Sequence, residues 1–155
     1  MQVKELGHLV LYVRDLRTSA RFYRDVLGWQ PLTDDDVDAL PFPAVGFSAP
    51  SQRTHHELLL IEVGPDAARM PEGRRLGMYH FGLKIGDSDD ELREALKTLV
   101  DNGVTIVGAS DHTVTHSIYI ADPDGNEIEL YIDVPGVDWR NDPTLITSPI
   151  KPLRL

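Results

Sequence analysis

An internal repeat is the feature that most constrains the fold of this chain. Residues 6–15 and 78–87 match at an offset of 72 residues, and each segment carries a histidine, His8 or His80, at the start of an alternating apolar pattern. Alternation of apolar and polar residues is typical of a half-buried strand. We therefore expect two copies of one structural unit, each opening on a strand that begins near a histidine.

Each copy predicts the element order β-α-β-β-β. A helix is expected over about 18–27, and a second begins at Ser88, whose spacing to Glu91 is that of a capping box. The offset of 72 also joins Glu57 to Glu129, so both ends of the unit repeat in register. Three short strands are predicted after each helix, at roughly 29–32, 42–48 and 55–63 in the first copy and 104–107, 117–121 and 127–132 in the second.

These units organise the whole chain, which we expect to form a single domain over residues 1–155. Module 1 covers about 3–63, a linker covers 64–77, and module 2 covers about 78–134. Residues 33–43 hold an acidic run and two prolines, which predict a solvated loop. The remaining residues, 135–155, are rich in proline and predict an extended C-terminal arm.

Composition excludes several classes of function. The 155 residues carry 15 Lys+Arg against 25 Asp+Glu, a formal charge of −10, which argues against a nucleic acid or an anionic membrane as partner. There are no cysteines, so disulfides, thiol nucleophiles and thiolate metal sites are excluded. The apolar run at 9–13 is too short for a membrane span or a signal peptide. We expect a cytoplasmic protein.

Three residues are candidates for a metal site. His8 and His80 occupy corresponding first strands, and Glu129 lies on the last strand of module 2, after an Asp-Pro-Asp-Gly turn. Two neutral imidazoles and one carboxylate suit a divalent transition ion and leave coordination positions open. This set favours Fe(II), Mn(II), Ni(II) or Zn(II) over Ca(II) or Mg(II), which prefer oxygen ligands.

The paired modules, with His8, His80 and Glu129 at corresponding ends, resemble the vicinal oxygen chelate superfamily. This superfamily includes glyoxalase I, fosfomycin-resistance proteins, bleomycin-binding proteins and type I extradiol dioxygenases. The resemblance covers about residues 3–134. It implies an α+β fold in which the two βαβββ modules form a split, incompletely closed barrel of eight strands around a metal, with the helices outside.

Residues 112–129 resemble a signature of the extradiol dioxygenases within that superfamily. The match comprises His112, an aliphatic residue before Tyr119, an Asp-Pro-x-Gly turn and Glu129, and it departs from the signature at Ser110. The resemblance implies a one-domain dioxygenase that uses Fe(II) and O2 to cleave a catechol-type aromatic diol, as in aromatic compound catabolism. His112 and Tyr119 would then line the site as hydrogen-bond donors.

Residues 54–60 are similar to the strand that carries the acid–base histidine of those dioxygenases, which assigns that role to His56. Because successive side chains of a strand point to opposite faces, His56 and Glu57 cannot both face the metal. An inward Glu57 would be a fourth metal ligand, as in glyoxalase I. The repeat register favours Glu57, but the dioxygenase-like segment 112–129 leads us to favour His56.

Two other functions stay open at this point. One is a glyoxalase I-like, metal-dependent isomerase or lyase with Glu57 as ligand and base. The other is a protein of the same superfamily that binds a drug or metabolite in an acidic groove, which the charge of −10 permits. Assembly into a homodimer also stays open.

Overall fold

The computed structural model describes residues 1–32 and 41–155, and it divides into two compact units, Met1–Met70 and Pro71–Leu155. The division falls inside the predicted linker at 64–77. Most of the predicted acidic loop, residues 33–40, lies outside the described residues. The assignment of the whole chain to one domain stays a prediction.

Unit 1 has the predicted order of one strand, a helix and three strands. The helix continues into a π-helical segment, Phe22–Val26, which is the second half of the predicted helix at 18–27. The elements are β1 (Leu9–Val13), α1 (Leu16–Arg21), β2 (Gln30–Pro31), β3 (Ala44–Ser48) and β4 (Leu58–Glu62). The first and last strands pair in parallel, which gives the sheet order β1-β4-β3-β2.

Unit 2 repeats this order and adds one strand from the C-terminal arm. The elements are β5 (His80–Gly86), α2 (Asp89–Asp101), β6 (Thr105–Asp111), β7 (Thr115–Ala121), β8 (Glu127–Asp133) and β9 (Lys151–Pro152). The first and fourth strands of unit 2 again pair in parallel, and the sheet order is β5-β8-β7-β6-β9. The arm is less extended than expected, because it contains a 3-10 helix, Pro143–Thr147, before β9.

Alternation along the strands of unit 2 separates an apolar face from a polar face. In β8 the residues Ile128, Leu130 and Ile132 are buried, while the intervening side chains are half-buried on the other face. Helix α2 covers the apolar face and buries Leu92 and Leu99. Full burial of one such aliphatic side chain stabilises the fold by about 1.5–3 kcal/mol. The polar face is therefore the side of this sheet on which chemistry can occur.

Both α-helices begin at residues with a side-chain cap. Asp15 accepts a hydrogen bond from the backbone N–H of Thr18 at 2.7 Å. Ser88 is the N-cap of α2, as the spacing predicted, and accepts a hydrogen bond from the N–H of Glu91. The Glu91 carboxylate reaches back and accepts from Ser88 Oγ at 2.7 Å and from the N–H of Asp87 at 2.9 Å. The repeat-equivalent Asp15 and Asp87 differ in role, because Asp87 instead pairs with Lys84.

The predicted α+β class with two βαβββ modules is confirmed. Each unit has an open mixed sheet with a helix packed on it. The described residues contain nine strands, one more than predicted, because β9 has only two residues and no alternating pattern. Among the helices of these residues, none is long and apolar enough to span a membrane.

Candidate metal centre

His80 and Glu129 lie together on the polar face of the unit 2 sheet. His80 is the first residue of β5, and the parallel register places Gly82, two residues further on, beside Glu129 of β8. The distance from His80 Nε2 to Glu129 Oε2 is 3.2 Å. Two donor atoms at about 2.1 Å from one ion and at right angles to each other would be about 3.0 Å apart. The observed separation therefore fits two ligands of a single ion.

The other ring nitrogen of His80 supports the same interpretation. Nδ1 is buried, has no hydrogen-bond partner and lies 3.5 Å from Oε1 of Glu127. A metal-binding histidine commonly directs its second nitrogen at a carboxylate, which fixes the ring and raises its basicity. The ring of His80 is thus oriented with Nε2 toward Glu129 and Nδ1 toward Glu127.

The two carboxylate oxygens of Glu129 have different surroundings. Oε1 accepts hydrogen bonds from Ser117 Oγ at 2.6 Å and from the phenol of Tyr119 at 3.2 Å. Oε2 faces His80. The hydroxyl donors hold the carboxylate in place through one oxygen, and the other oxygen is directed at the predicted site of the ion.

Gly82 leaves space beside this carboxylate. A Cβ atom added at Gly82 would lie 3.9 Å from Glu129 Oε2 and 3.4 Å from the ring of Tyr131. A side chain at this position would therefore lie beside both Tyr131 and the Glu129 carboxylate. The absence of a side chain here is compatible with a bound small molecule next to Glu129.

His112 and Tyr119 form a hydrogen-bonded pair next to Glu129. His112 Nε2 lies 2.7 Å from Tyr119 Oη and 3.8 Å from Glu129 Oε1. The phenol has one proton, so when Tyr119 donates to Glu129, His112 Nε2 must carry a hydrogen and donate to Tyr119. Burial raises the pKa of Tyr119, and the charge of Glu129 raises it further, so the phenol stays protonated.

Unit 1 brings three histidines together around the start of β1. His8 directly precedes β1 and is exposed, and its ring centroid lies 4.5 Å from that of His56 and 6.1 Å from that of His55. Burial lowers the pKa of His56, and positive charge on His55 or His8 lowers it further. A neutral imidazole at His56 can accept a proton.

The carboxylate of Glu57 has its partners in a different part of unit 1. Its Oε2 accepts a hydrogen bond from the backbone N–H of Ala49 at 2.6 Å, and its Oε1 lies 3.5 Å from Arg53 Nε. The Glu57 carboxylate therefore faces the loop that leads into β4, whereas the ring of His56 lies beside His8.

The predicted ligands are divided between the two units, since His8 belongs to unit 1 and His80 and Glu129 to unit 2. Within each unit, over residues 1–32, 41–70 and 71–155, no group of three or more His, Asp or Glu side chains is arranged to hold a metal ion. His80 and Glu129 fit a divalent transition ion as two of its ligands. The place of His8 in the ligand set stays a prediction.

The sequence predictions gave no role to two residues that support this site, Ser117 and Glu127, although alternation already puts Glu127 on the face of Glu129. Ser117 is buried on β7 and shares the polar face with Tyr119, two residues further along the strand. Glu127 shares the polar face with Glu129 for the same reason. Strand alternation counted outward from Tyr119 and Glu129 would have identified both residues.

The predicted Asp-Pro-Asp-Gly turn before β8 is held together by its first residue, Asp122. Asp122 is 5% exposed, and its carboxylate accepts hydrogen bonds from the backbone N–H groups of Asp124 and Asn126 and from the side chain of Asn126. Asp residues that bond backbone N–H groups two residues on are typical of tight turns. This turn sets the entry of β8, and with it the position of Glu129.

Comparison with known proteins places this chain in a family. Residues 5–130 match the model of the glyoxalase/bleomycin resistance protein/dioxygenase superfamily. The chain is similar to a catechol-2,3-dioxygenase of Bacillus subtilis, with 37% identity over 88% of this chain and 44% of that protein. The chain thus spans less than half the length of that relative.

Two further proteins show the breadth of the family. A lactoylglutathione lyase of Neisseria meningitidis is 30% identical over 81% of this chain and 88% of its own length. A crystal structure of a glyoxalase/dioxygenase from Nostoc punctiforme has a TM-score of 0.65 at 22% identity, and the match covers 84% of this chain and 91% of that one. The structural match supports the fold, and the match to the family model shows that the chain is homologous to this family. The chain belongs to the glyoxalase/bleomycin resistance protein/dioxygenase superfamily.

Proposed function

We propose that this protein is an extradiol dioxygenase that uses Fe(II) and O2 to cleave the ring of a catechol-type aromatic diol. The observation that carries the proposal is the hydrogen-bonded set of His112, Tyr119 and Glu129 beside His80. A site that only bound a metal would not need two protonated donors next to a carboxylate ligand. The similarity to a catechol-2,3-dioxygenase supports the same chemistry.

The proposed metal ligands are His8, His80 and Glu129. A bound Fe(II) ion would supply Lewis acidity that lowers the pKa values of the two diol hydroxyls. Mn(II), Ni(II) or Zn(II) would suit the same donors. The protein contributes the orientation of the ligands, because Ser117 and Tyr119 hold one oxygen of Glu129 and Glu127 faces the second nitrogen of His80.

His56 is the proposed acid–base group. Its lowered pKa keeps the imidazole neutral near pH 7, so that it can accept a proton from a diol hydroxyl. With substrate bound, Tyr119 and His112 would exchange their hydrogen bonds for bonds to substrate oxygen atoms on which negative charge develops, while Ser117 keeps its bond to Glu129. Both atoms of O2 end in the ring-opened product, so the reaction needs no additional reductant.

A lyase or isomerase of the glyoxalase I type is the second candidate, favoured by the similarity to a lactoylglutathione lyase. In that reaction a fourth ligand and base is expected at Glu57. The hydrogen bond from Ala49 and the nearby Arg53 engage the Glu57 carboxylate within unit 1, which favours the dioxygenase.

Purification without oxygen, loading with Fe(II) and assays in an oxygen electrode test the proposal. A panel of catechols should produce oxygen uptake and a coloured ring-opened product, and the Glu129→Ala protein should produce neither. Isomerisation of a glutathione hemithioacetal without oxygen uptake would instead establish the lyase. Tight catechol binding with no turnover by any loaded metal would indicate a binding protein.

A further inference from the structure

The turn between β6 and β7 contains a backbone conformation that its residue type disfavours. Thr113 has φ of +71°. Left-handed backbone is an outlier for a β-branched residue, since its side chain meets the backbone at positive φ. Among the described residues other than glycine, Gln52 alone shares this feature, with φ of +44°.

Thr113 has a second unfavourable feature. Its hydroxyl oxygen is buried and has no hydrogen-bond partner. A buried polar group without a partner costs free energy, because it loses its hydrogen bonds to water and gains none. Glycine would avoid both costs at this position, and the sequence nevertheless has threonine.

Short hydrogen bonds hold the turn in this conformation. The N–H of Val114 bonds the carbonyl of His112 at 2.8 Å, which closes a three-residue γ-turn centred on Thr113. The N–H of Thr113 bonds Asp111 Oδ1 at 2.6 Å. The N–H of His112 bonds the carbonyl of Thr115 at 2.9 Å. The classic γ-turn, with φ near +75°, is rare and strained, so it persists only where the surroundings fix it.

Asp111 is itself held from the apolar face of the sheet. His116 Nε2 lies 3.7 Å from Asp111 Oδ1, and His116 Nδ1 lies 2.6 Å from Asp89 Oδ1 in the first turn of α2. Asp111, which accepts from the Thr113 N–H, is therefore connected through His116 to the helix that covers this sheet.

His112 contributes the carbonyl of this turn, so the turn sets the direction in which its side chain leaves the backbone. That side chain reaches Tyr119 Oη at 2.7 Å. We propose that Asp111 is a positioning residue, whose hydrogen bond from the N–H of Thr113 holds the strained turn and so fixes the imidazole of His112 against Tyr119. The proposal rests on the proposed function for what His112 then does, but the positioning itself can be measured in metal-free protein.

The test replaces Asp111 by alanine, which removes the acceptor of the Thr113 N–H and leaves the strain at Thr113 unopposed by this bond. We expect the nuclear Overhauser contacts between the rings of His112 and Tyr119 in metal-free protein to weaken or vanish. In the Fe(II)-loaded enzyme kcat with a catechol should fall by about tenfold or more with KM little changed, as for the partial loss of one donor.

Four further variants separate positioning from other effects. Asp111→Asn keeps an acceptor for the Thr113 N–H, so the ring contacts and kcat should be retained. Thr113→Gly removes the side-chain clash and the buried hydroxyl and favours the same turn, so it should raise the Tm by about 2–4 °C for a chain of this size and retain the ring contacts. Added to Asp111→Ala, Thr113→Gly should restore part of the ring contacts, because glycine adopts positive φ without strain. Gln52→Gly is the matched control for relief of strain, and it should raise the Tm without restoring the ring contacts of Asp111→Ala.

The outcomes distinguish this inference from the proposed function. Retention of the ring contacts in Asp111→Ala overturns the positioning role, whatever the rate does. A loss of contacts in Asp111→Asn equal to that in Asp111→Ala also overturns it, because the hydrogen bond from the Thr113 N–H would then not be responsible. Loss of contacts in Asp111→Ala but not in Asp111→Asn, with no catechol turnover by the unaltered protein, would support the positioning and reject the dioxygenase.

Discussion

Tyr119 and Glu129 face each other directly across the antiparallel strands β7 and β8, with the phenol 3.2 Å from the carboxylate. The backbone ladder enforces this pairing, since the neighbouring pairs Ile118–Leu130 and Ile120–Ile128 are buried against the other face. A slip by one residue would bury Glu129 in the core. The register that buries these aliphatic side chains therefore also places the phenol of Tyr119 next to the proposed metal ligand, Glu129.

Replacement of Tyr119 by phenylalanine should separate catalysis from metal binding. The ring is retained, and Ser117 still donates to Glu129, so metal affinity should change little. Loss of a donor that acts on developing charge should lower kcat by about 10²–10³. Metal titration and steady-state oxygen uptake measure the two effects, and a kcat equal to that of the unaltered enzyme would contradict the role of Tyr119.

Ser117 gives a complementary prediction, because its hydroxyl donates to Glu129 Oε1, the carboxylate oxygen that does not face His80. Ser117→Ala should weaken metal affinity or activity by about 10–100-fold, as is common when a partner of a metal ligand is removed. Competition with a chromophoric chelator measures the affinity. A matched control is Ser110→Ala on β6, for which we expect no change.

His56 and Glu57 are diagnostic as a pair. His56→Gln should retain the metal and lose turnover by about 10²–10⁴, as expected for lost acid–base catalysis. Glu57→Gln should retain both metal and turnover, because the carboxylate contacts Ala49 and Arg53 within unit 1. Metal content and oxygen uptake of the two proteins would be compared. The reverse pattern, with Glu57→Gln inactive and poor in metal, would favour the glyoxalase I-like reaction.

The parts of the structure that the sequence predicts well are those set by local periodicity. The capping box at Ser88 and Glu91 is visible as a spacing, and the buried positions of β8 follow from alternation. The strained turn at Thr113 was not predictable, because threonine is not a residue that signals positive φ. The hydrogen bond from the Ala49 N–H to Glu57 was not predictable for another reason, because it depends on the conformation of the loop between β3 and β4, which the repeat does not encode.

The capping box gives a prediction about stability and pH. Hydrogen bonds from the backbone of Asp87 and the hydroxyl of Ser88 lower the pKa of Glu91 below its ordinary value of 4.5. A carboxyl group whose pKa is lower in the folded state stabilises the fold above its unfolded pKa and loses this effect as pH falls through the folded pKa. Glu91→Gln should therefore lower the Tm at pH 7, and the difference should shrink below about pH 4.5. A difference that stays constant down to pH 3 would show that the charge of Glu91 is not involved.

The predicted ligand set is tested most severely through His8, because it is the one proposed ligand that belongs to unit 1. Substitution of His8, His80 or Glu129 by alanine should each weaken binding of Fe(II), or of Co(II) as a spectroscopic probe, by more than the 10–100-fold expected for a supporting residue, since each removes a direct donor from a set of three. His116→Gln is the matched control: this histidine lies on the same sheet as His80 but bonds Asp89, so metal affinity should be unchanged. If the three alanine variants lose affinity to a similar extent, His8 completes the site with His80 and Glu129. If His8→Ala binds the metal as tightly as the unaltered protein while His80→Ala and Glu129→Ala do not, the third ligand lies elsewhere in the chain and the equivalence of the two repeats does not extend to the metal.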